Sequence, residues 1–168
     1  MFDLINGLPV HPLVVHAVVV LLPLSIIGTI AIAVRPSWRI RYGKLVVATS
    51  LVATALVPVA SSSGEALESR VGNPGEHAEL GDQLIWFAIP VLVLGAVLVW
   101  MSHRQRRADS GMDAGAGMSA SGARGGHRAV TVVAALAVLA GLAAGVQVYR
   151  VGDSGARAAW GDQVSAPR

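Results

Sequence analysis

Four long apolar runs constrain this chain more than any other feature of its sequence. They cover Leu13–Val34, Leu45–Ala60, Leu84–Met101 and Ala129–Tyr149, and none contains Asp, Glu, Lys or Arg. A helix needs about 17–25 predominantly apolar residues to cross the hydrocarbon, and the second run reaches that length if it continues through Ser63. Only helices and closed barrels can span lipid, and uninterrupted runs of this length exclude barrel strands. The runs therefore predict an all-α, integral membrane bundle of four transmembrane helices.

The composition agrees with a single membrane domain. Charged residues make up 14% of the 168 residues, whereas soluble proteins average about 25%. We expect one domain, 1–168, with spans near 13–34, 45–63, 84–101 and 129–149. The Gly/Ser-rich segment between the last two spans has no apolar period, so we expect 103–128 to be a flexible cytoplasmic loop.

Basic residues predict the direction of the spans. Segments 35–44 and 102–128 hold four and five Lys/Arg, whereas the N-terminal stretch, segment 61–83 and the C-terminal tail hold four together. By the positive-inside rule the two basic segments are cytoplasmic, and both termini lie on the outer side. Met1–Val34 has no Lys or Arg, unlike the start of a signal peptide, so we expect the first span to be retained.

Histidines and carboxylates then gather at the outer face. The candidates are His11 and His16 at the first span, Glu65 in the second outer segment, His77 before the third span and Asp153 after the fourth. Histidine and carboxylate are first-row metal ligands, and two neutral histidines can hold a haem axially. The chain has no cysteine, which excludes thiolate sites and covalently attached haem. We therefore expect His16 and His77, with His11, to bind haem b or a divalent transition metal, and Glu65 and Asp153 to support the site.

The spacing of the first two histidines leaves their roles open. Five residues place His11 and His16 about 140° apart on a regular helix, so they do not share a face. Pro12 suits the first helical position, which leaves His11 free to fold back from just outside the helix. His16 lies one turn inside the apolar run, and a backbone carbonyl could satisfy its ring instead of a ligand.

Four segments of the chain resemble one bacterial membrane family, catalogued as domain of unknown function 2231, whose actinobacterial type is the most similar. They are LPVHPLVVHAVVVLLPL, SSSGEALESRVG, EHAELGDQLIWFAIP and VYRVGDSGARAAW. Where relatives have Gly-His-Ser-Gly-Ala near the end, this chain has Asp153 at the position of the histidine. The resemblance implies a four-helix protein of the bacterial inner membrane. Similar domains are fused to Rieske-type iron–sulfur modules, which favours electron transfer or a cofactor-bearing membrane anchor.

Two functions of different classes follow from these residues. The first is a multi-pass membrane protein that binds haem or a metal at its outer face for electron transfer or sensing, within a membrane redox complex or a homo-oligomer. The alternative is a structural or interaction protein whose histidines and carboxylates form a polar cap without any cofactor. A transporter is disfavoured because no span carries a midplane charge. A hydrolase is disfavoured because no nucleophile-elbow or zincin motif is present, so we expect a binding protein rather than an enzyme. The lipid bilayer is the expected partner, and nucleic-acid binding is not expected, because the basic residues follow the topology rule.

Overall fold

Four long helices follow a short hairpin, in a computed structural model that describes residues 4–5, 8–72, 75–112 and 120–165. Two-residue strands β1 (Leu4–Ile5) and β2 (Leu8–Pro9) pair antiparallel. The helices are α1 (Val10–Val34), α2 (Pro36–Val71), α3 (Glu76–Met112) and α4 (Ala120–Ser165). The predicted all-α bundle of four helices is confirmed, and the side of the membrane that the termini face stays a prediction.

The outward surface of the bundle is apolar. All four helices are long and apolar enough to cross a membrane, yet only 22–39% of the apolar 18-residue window of each is buried in the bundle. Side chains such as Val20, Ile27, Leu45 and Leu139 are 62–67% exposed. A continuous apolar surface of this size is unfavourable in water and favourable in lipid. The helices therefore contact the bilayer over most of their apolar surface.

The helices also extend well beyond the apolar runs. The second helix starts at Pro36, before the apolar run that begins at Leu45. Of the segment that we expected to be a flexible loop, residues 103–112 continue α3 and residues 120–128 begin α4, while 113–119 lie outside the described residues. Hydropathy marks where the chain leaves the lipid, whereas Ala, Arg and Gln on either side remain good helix formers.

A two-residue turn joins α1 directly to α2. Arg35 is extended (φ −111°, ψ 97°) and Pro36 occupies the start of the next helix, because proline disfavours the helical conformation of the residue before it. The buried Arg39 then donates from Nε to Ile32 O at 2.8 Å and from Nη2 to Ala33 O at 2.6 Å. These carbonyls at the end of α1 have no partner within the helix, so Arg39 caps α1 from α2.

The helices pack in chain order around a ring. Each contacts the next, α4 returns to α1, and α1 also approaches α3 across the bundle. We call the end where α1 and α3 begin the histidine end, because it carries His11 and His77. The opposite end, with Arg35, Arg39 and Arg104, is the basic end. Two apolar clusters fill the interior, one around Leu22 toward the histidine end and one around Leu98 toward the basic end.

Aromatic rings stack against arginines at the basic end. The guanidinium carbons of Arg35 and Arg104 lie 4.9 Å and 4.6 Å from the ring centroids of Trp38 and Trp100. Such pairs of amphipathic rings and cations are typical of the interface between headgroups and hydrocarbon. This end of the bundle is therefore suited to the headgroup region of a bilayer.

We predict that Arg39→Leu destabilises the protein by about 2–4 kcal/mol, because two buried carbonyls lose charged donors. Denaturant unfolding in detergent micelles measures the change. Arg41→Leu is the matched control, since Arg41 is exposed and its guanidinium only stacks on Tyr42 at 5.3 Å, which contributes less than about 1 kcal/mol. Equal effects of the two substitutions would contradict the capping role of Arg39.

Candidate ligand cavity at the histidine end

His11 connects the start of α1 to the last turns of α2. Its Nδ1 lies 3.0 Å from Ala60 O and 3.2 Å from Ser63 Oγ. A carbonyl oxygen can only accept, so Nδ1 must carry the proton of the neutral ring. The Ser63 hydroxyl donates its own hydrogen to Ala60 O at 2.9 Å and accepts from the imidazole. We call His11, Ala60 and Ser63 the first histidine clamp.

His77 connects α3 to α4 in the same way. Its Nδ1 lies 3.1 Å from Val151 O and 3.3 Å from Ser154 Oγ. Ser154 Oγ donates to Val151 O at 3.0 Å. His77, Val151 and Ser154 form the second histidine clamp. In both clamps Nδ1 is the donor, so Nε2 keeps its lone pair for a ligand.

A glycine lies under each imidazole. A Cβ at Gly64 would lie 3.1 Å from Cε1 of His11, and a Cβ at Gly155 would lie 2.9 Å from Cε1 of His77. Both distances are shorter than ordinary van der Waals contacts between carbon atoms. The rings therefore pack against bare backbone, and any larger residue at these two positions would push them away.

Both clamps border one cavity of about 700 Å³ between the four helices. Its deep wall is apolar and consists of residues such as Val18, Leu22, Val57, Leu84 and Val148. This volume lies within the roughly 300–1,000 Å³ of small-molecule sites, which combine apolar walls with a few polar groups. The polar groups here are the two imidazoles and the three carboxylates described next.

Glu65, Glu68 and Asp82 also line the cavity. Glu65 and Glu68 lie on the last turns of α2, and Asp82 lies on the second turn of α3. Together with two imidazoles that accept through Nε2, they make the cavity a place for a cation or a hydrogen-bond donor. We call these three residues the acidic rim.

The residues singled out from the sequence do not all reach this cavity. His11, His77 and Glu65 line it, whereas His16 and Asp153 do not belong to its lining. His16 is exposed and its Nδ1 lies 2.5 Å from Pro12 O on its own helix. Asp153 pairs with Arg157 one turn along α4. The structure thus brings three of the five predicted site residues together.

The sequence reasoning missed the residues that hold the rings. Ser63, Gly64, Ser154 and Gly155 form two Ser-Gly dipeptides, each near the end of an outgoing helix. The repeated dipeptide was the available signal, but serine and glycine are common in membrane helices. Glu68 and Asp82 were noticed only as part of the acidic outer segment.

The donor set limits the kind of metal site. Within the described ranges, no group of three or more His, Asp or Glu residues is arranged to hold a metal ion. A bare Zn²⁺ site uses three or four protein ligands. A haem needs only two axial ligands, because the porphyrin supplies the other four nitrogens. Two imidazoles on one apolar cavity therefore fit haem better than a bare ion.

Comparison with known proteins places the chain in one family. A family model described as predicted membrane protein DUF2231 matches residues 7–168. No curated protein and no solved structure matches the chain. The resemblance inferred from the sequence motifs is therefore confirmed at the level of the family, and this match carries no residue roles.

We predict that Gly155→Ala destabilises the protein by about 1–3 kcal/mol, because its Cβ would overlap the His77 ring. Gly64→Ala should act in the same direction and more weakly, since its Cβ would lie 0.2 Å farther from the imidazole (3.1 against 2.9 Å). Thermal unfolding in detergent measures both. Gly152→Ala is the control, because Gly152 lines the same cavity with no atom within 4 Å of an added Cβ. It should be neutral, or stabilising by up to about 1 kcal/mol through helix propensity.

Proposed function

The chain belongs to the DUF2231 family of predicted membrane proteins, and from that premise we propose that it binds haem b in the cavity at the histidine end. His11 and His77 are the axial ligands, and the bound haem serves electron transfer or sensing. Haem b is the form that fits a chain without cysteine, because no thioether attachment is possible.

One observation carries the proposal: two imidazoles with protonated Nδ1 border the same cavity. Histidines that bind a metal through Nε2 commonly donate Nδ1–H to a carbonyl, which fixes the tautomer and the ring orientation. Ala60 O and Val151 O are those carbonyls here. Both ligands are therefore held in the required tautomer before anything binds.

The acidic rim supports a particular redox role. Carboxylates near a haem stabilise the ferric state, whose iron carries one more positive charge, and so lower the reduction potential. Glu65, Glu68 and Asp82 lie around the cavity. We propose that the haem donates electrons at low potential and does not act as a strong oxidant.

The positive-inside rule places this cavity on the outer face of a bacterial inner membrane. The basic end carries the segments with nine of the thirteen Lys/Arg of the chain, and such segments stay in the cytoplasm. The histidine end then faces outward. A small haem subunit in this position would pass electrons within a membrane redox complex, and a homo-oligomer is the alternative assembly.

The polar-cap function is the second candidate, and the clamps themselves favour it. Each imidazole joins one helix to the next across 49 or 74 residues of sequence. Such bonds stabilise the ends of a bundle without any ligand. On this alternative, loss of a histidine lowers stability and removes no cofactor.

Optical spectra of the purified full chain, air-oxidised and then reduced with dithionite, test the proposal. We expect a Soret band that shifts on reduction, and we expect it to be altered or lost in His11→Ala and in His77→Ala. His16→Ala is the matched control, because His16 is exposed and lies outside the cavity lining. This variant also tests the sequence-based choice of His16 as a primary ligand, which stays a prediction.

The other outcomes separate the two candidates. A folded protein that stays colourless after addition of haem, with lower stability in both clamp variants, would support the polar cap. Stoichiometric zinc or copper on elemental analysis, without a Soret band, would replace the haem with a bare metal. Loss of the Soret band in His16→Ala alone would reject His11 as the ligand.

A further inference from the structure

We infer that the chain is an internal duplication of one two-helix unit, and that His11 and His77 are equivalent ligands, one from each unit. The first unit is α1 with α2, and the second is α3 with α4. The duplication follows from packing and sequence alone, whereas the statement about ligands rests on the proposed function.

The histidines set the relation between α1 and α3, because His77 follows His11 by 66 residues. The same spacing carries buried positions of α1 onto buried positions of α3. The matched buried pairs are Val18 and Leu84, Leu22 and Ala88, Ser25 and Val91, Thr29 and Gly95, Ile32 and Leu98, and Ala33 and Val99. Since the spacing comes from the histidines and is not adjusted to the burial, the two helices present the same face to the interior.

The serines set the relation between α2 and α4, where Ser154 follows Ser63 by 91 residues. This spacing also relates the carbonyls that the imidazoles contact, and the glycines under the rings. It carries buried positions onto buried positions again, as in Gly43 and Ala134, Ser50 and Gly141, and Ala53 and Ala144. Each unit therefore contains one complete clamp, with the histidine on its first helix and the carbonyl, serine and glycine on its second.

A contact across the bundle locates the symmetry axis. A Cβ at Gly95 would lie 3.5 Å from Thr29 Oγ1, and these two residues are counterparts in the 66-residue relation. Under two-fold symmetry a residue meets its own counterpart only near the axis. Because α1 and α3 run in the same direction, the axis lies along the bundle, as in parallel repeats of other membrane proteins.

The cavity lies on this axis. Most of its lining residues fall into counterpart pairs, including His11 with His77, Val57 with Val148, and Gly64 with Gly155. A ligand in the cavity therefore meets the same imidazole and the same glycine from two opposite sides.

The acidic rim breaks the symmetry. Glu65 and Glu68 have Ala156 and Ala159 as their counterparts in α4, and the counterpart of Asp82 is His16. The carboxylates thus come mainly from one side of the cavity, while the clamps come from both. The feature common to the two units is the held imidazole, which is the feature that a doubly ligated iron requires.

Equivalent axial ligands determine the coordination of the haem. With one imidazole on each face the iron is six-coordinate and has no open position for a gas or substrate. Such a site carries electrons and does not activate oxygen. The inference therefore narrows the proposed function to electron transfer.

The test compares His11→Ala and His77→Ala in the full chain by electron paramagnetic resonance and optical spectra. We expect a low-spin ferric haem in the wild type and the same high-spin, five-coordinate haem in both variants. Free imidazole should restore the low-spin spectrum in both, with the same concentration dependence to within about twofold. A variant that keeps the low-spin spectrum while the other loses it would overturn the equivalence but leave haem binding intact.

A second measurement separates this inference from the proposed function. Ser63→Ala and Ser154→Ala each remove one clamp hydroxyl, and equivalent clamps should lower the unfolding temperature by the same amount. The measurement needs no haem, so it applies even if the wild type is colourless and the proposed function fails. A shift in only one of the two serine variants would overturn the duplication of the clamp.

Discussion

The hydrogen bond from an imidazole Nδ1 to a main-chain carbonyl of the neighbouring helix organises the histidine end. His11 reaches Ala60 O and His77 reaches Val151 O. Each bond fixes the neutral tautomer, brings the start of one helix against the end of the next, and requires a glycine beneath the ring. In a medium of low dielectric constant such a bond is not weakened by competing water. The cavity and its chemistry depend on these two contacts.

Much of the fold could be predicted from the sequence, because hydropathy is a local property that lipid amplifies. The four spans need no knowledge of tertiary structure, since any helix of that composition leaves water. The ends of the helices were less predictable. Pro36 starts a new helix at once, and residues 103–112 and 120–128 are helical outside the apolar runs, because charged residues end the membrane span without ending the helix.

The candidate site was predictable only in part. Topology alone brought His11, Glu65 and His77 to one end, because helix direction alternates with each span. The choice between His11 and His16 depended on which face of α1 turns inward, and that is set by packing against α2. Pro12 O lies on the same helix as His16 and satisfies its ring locally. Asp153 likewise has a local partner in Arg157. Local partners of this kind compete with any distant site, and a motif does not reveal them.

Each clamp is complete within one pair of helices, and this has a consequence for ancestry. A two-helix hairpin crosses the membrane twice and returns to the side from which it started, so a tandem copy inserts in the same orientation without any change of loop charge. A single ancestral hairpin would supply one imidazole and half of the cavity, and it would complete the site by pairing with another copy of itself. Fusion of the two copies then allowed carboxylates to accumulate on one side only, which no symmetric homodimer could have done.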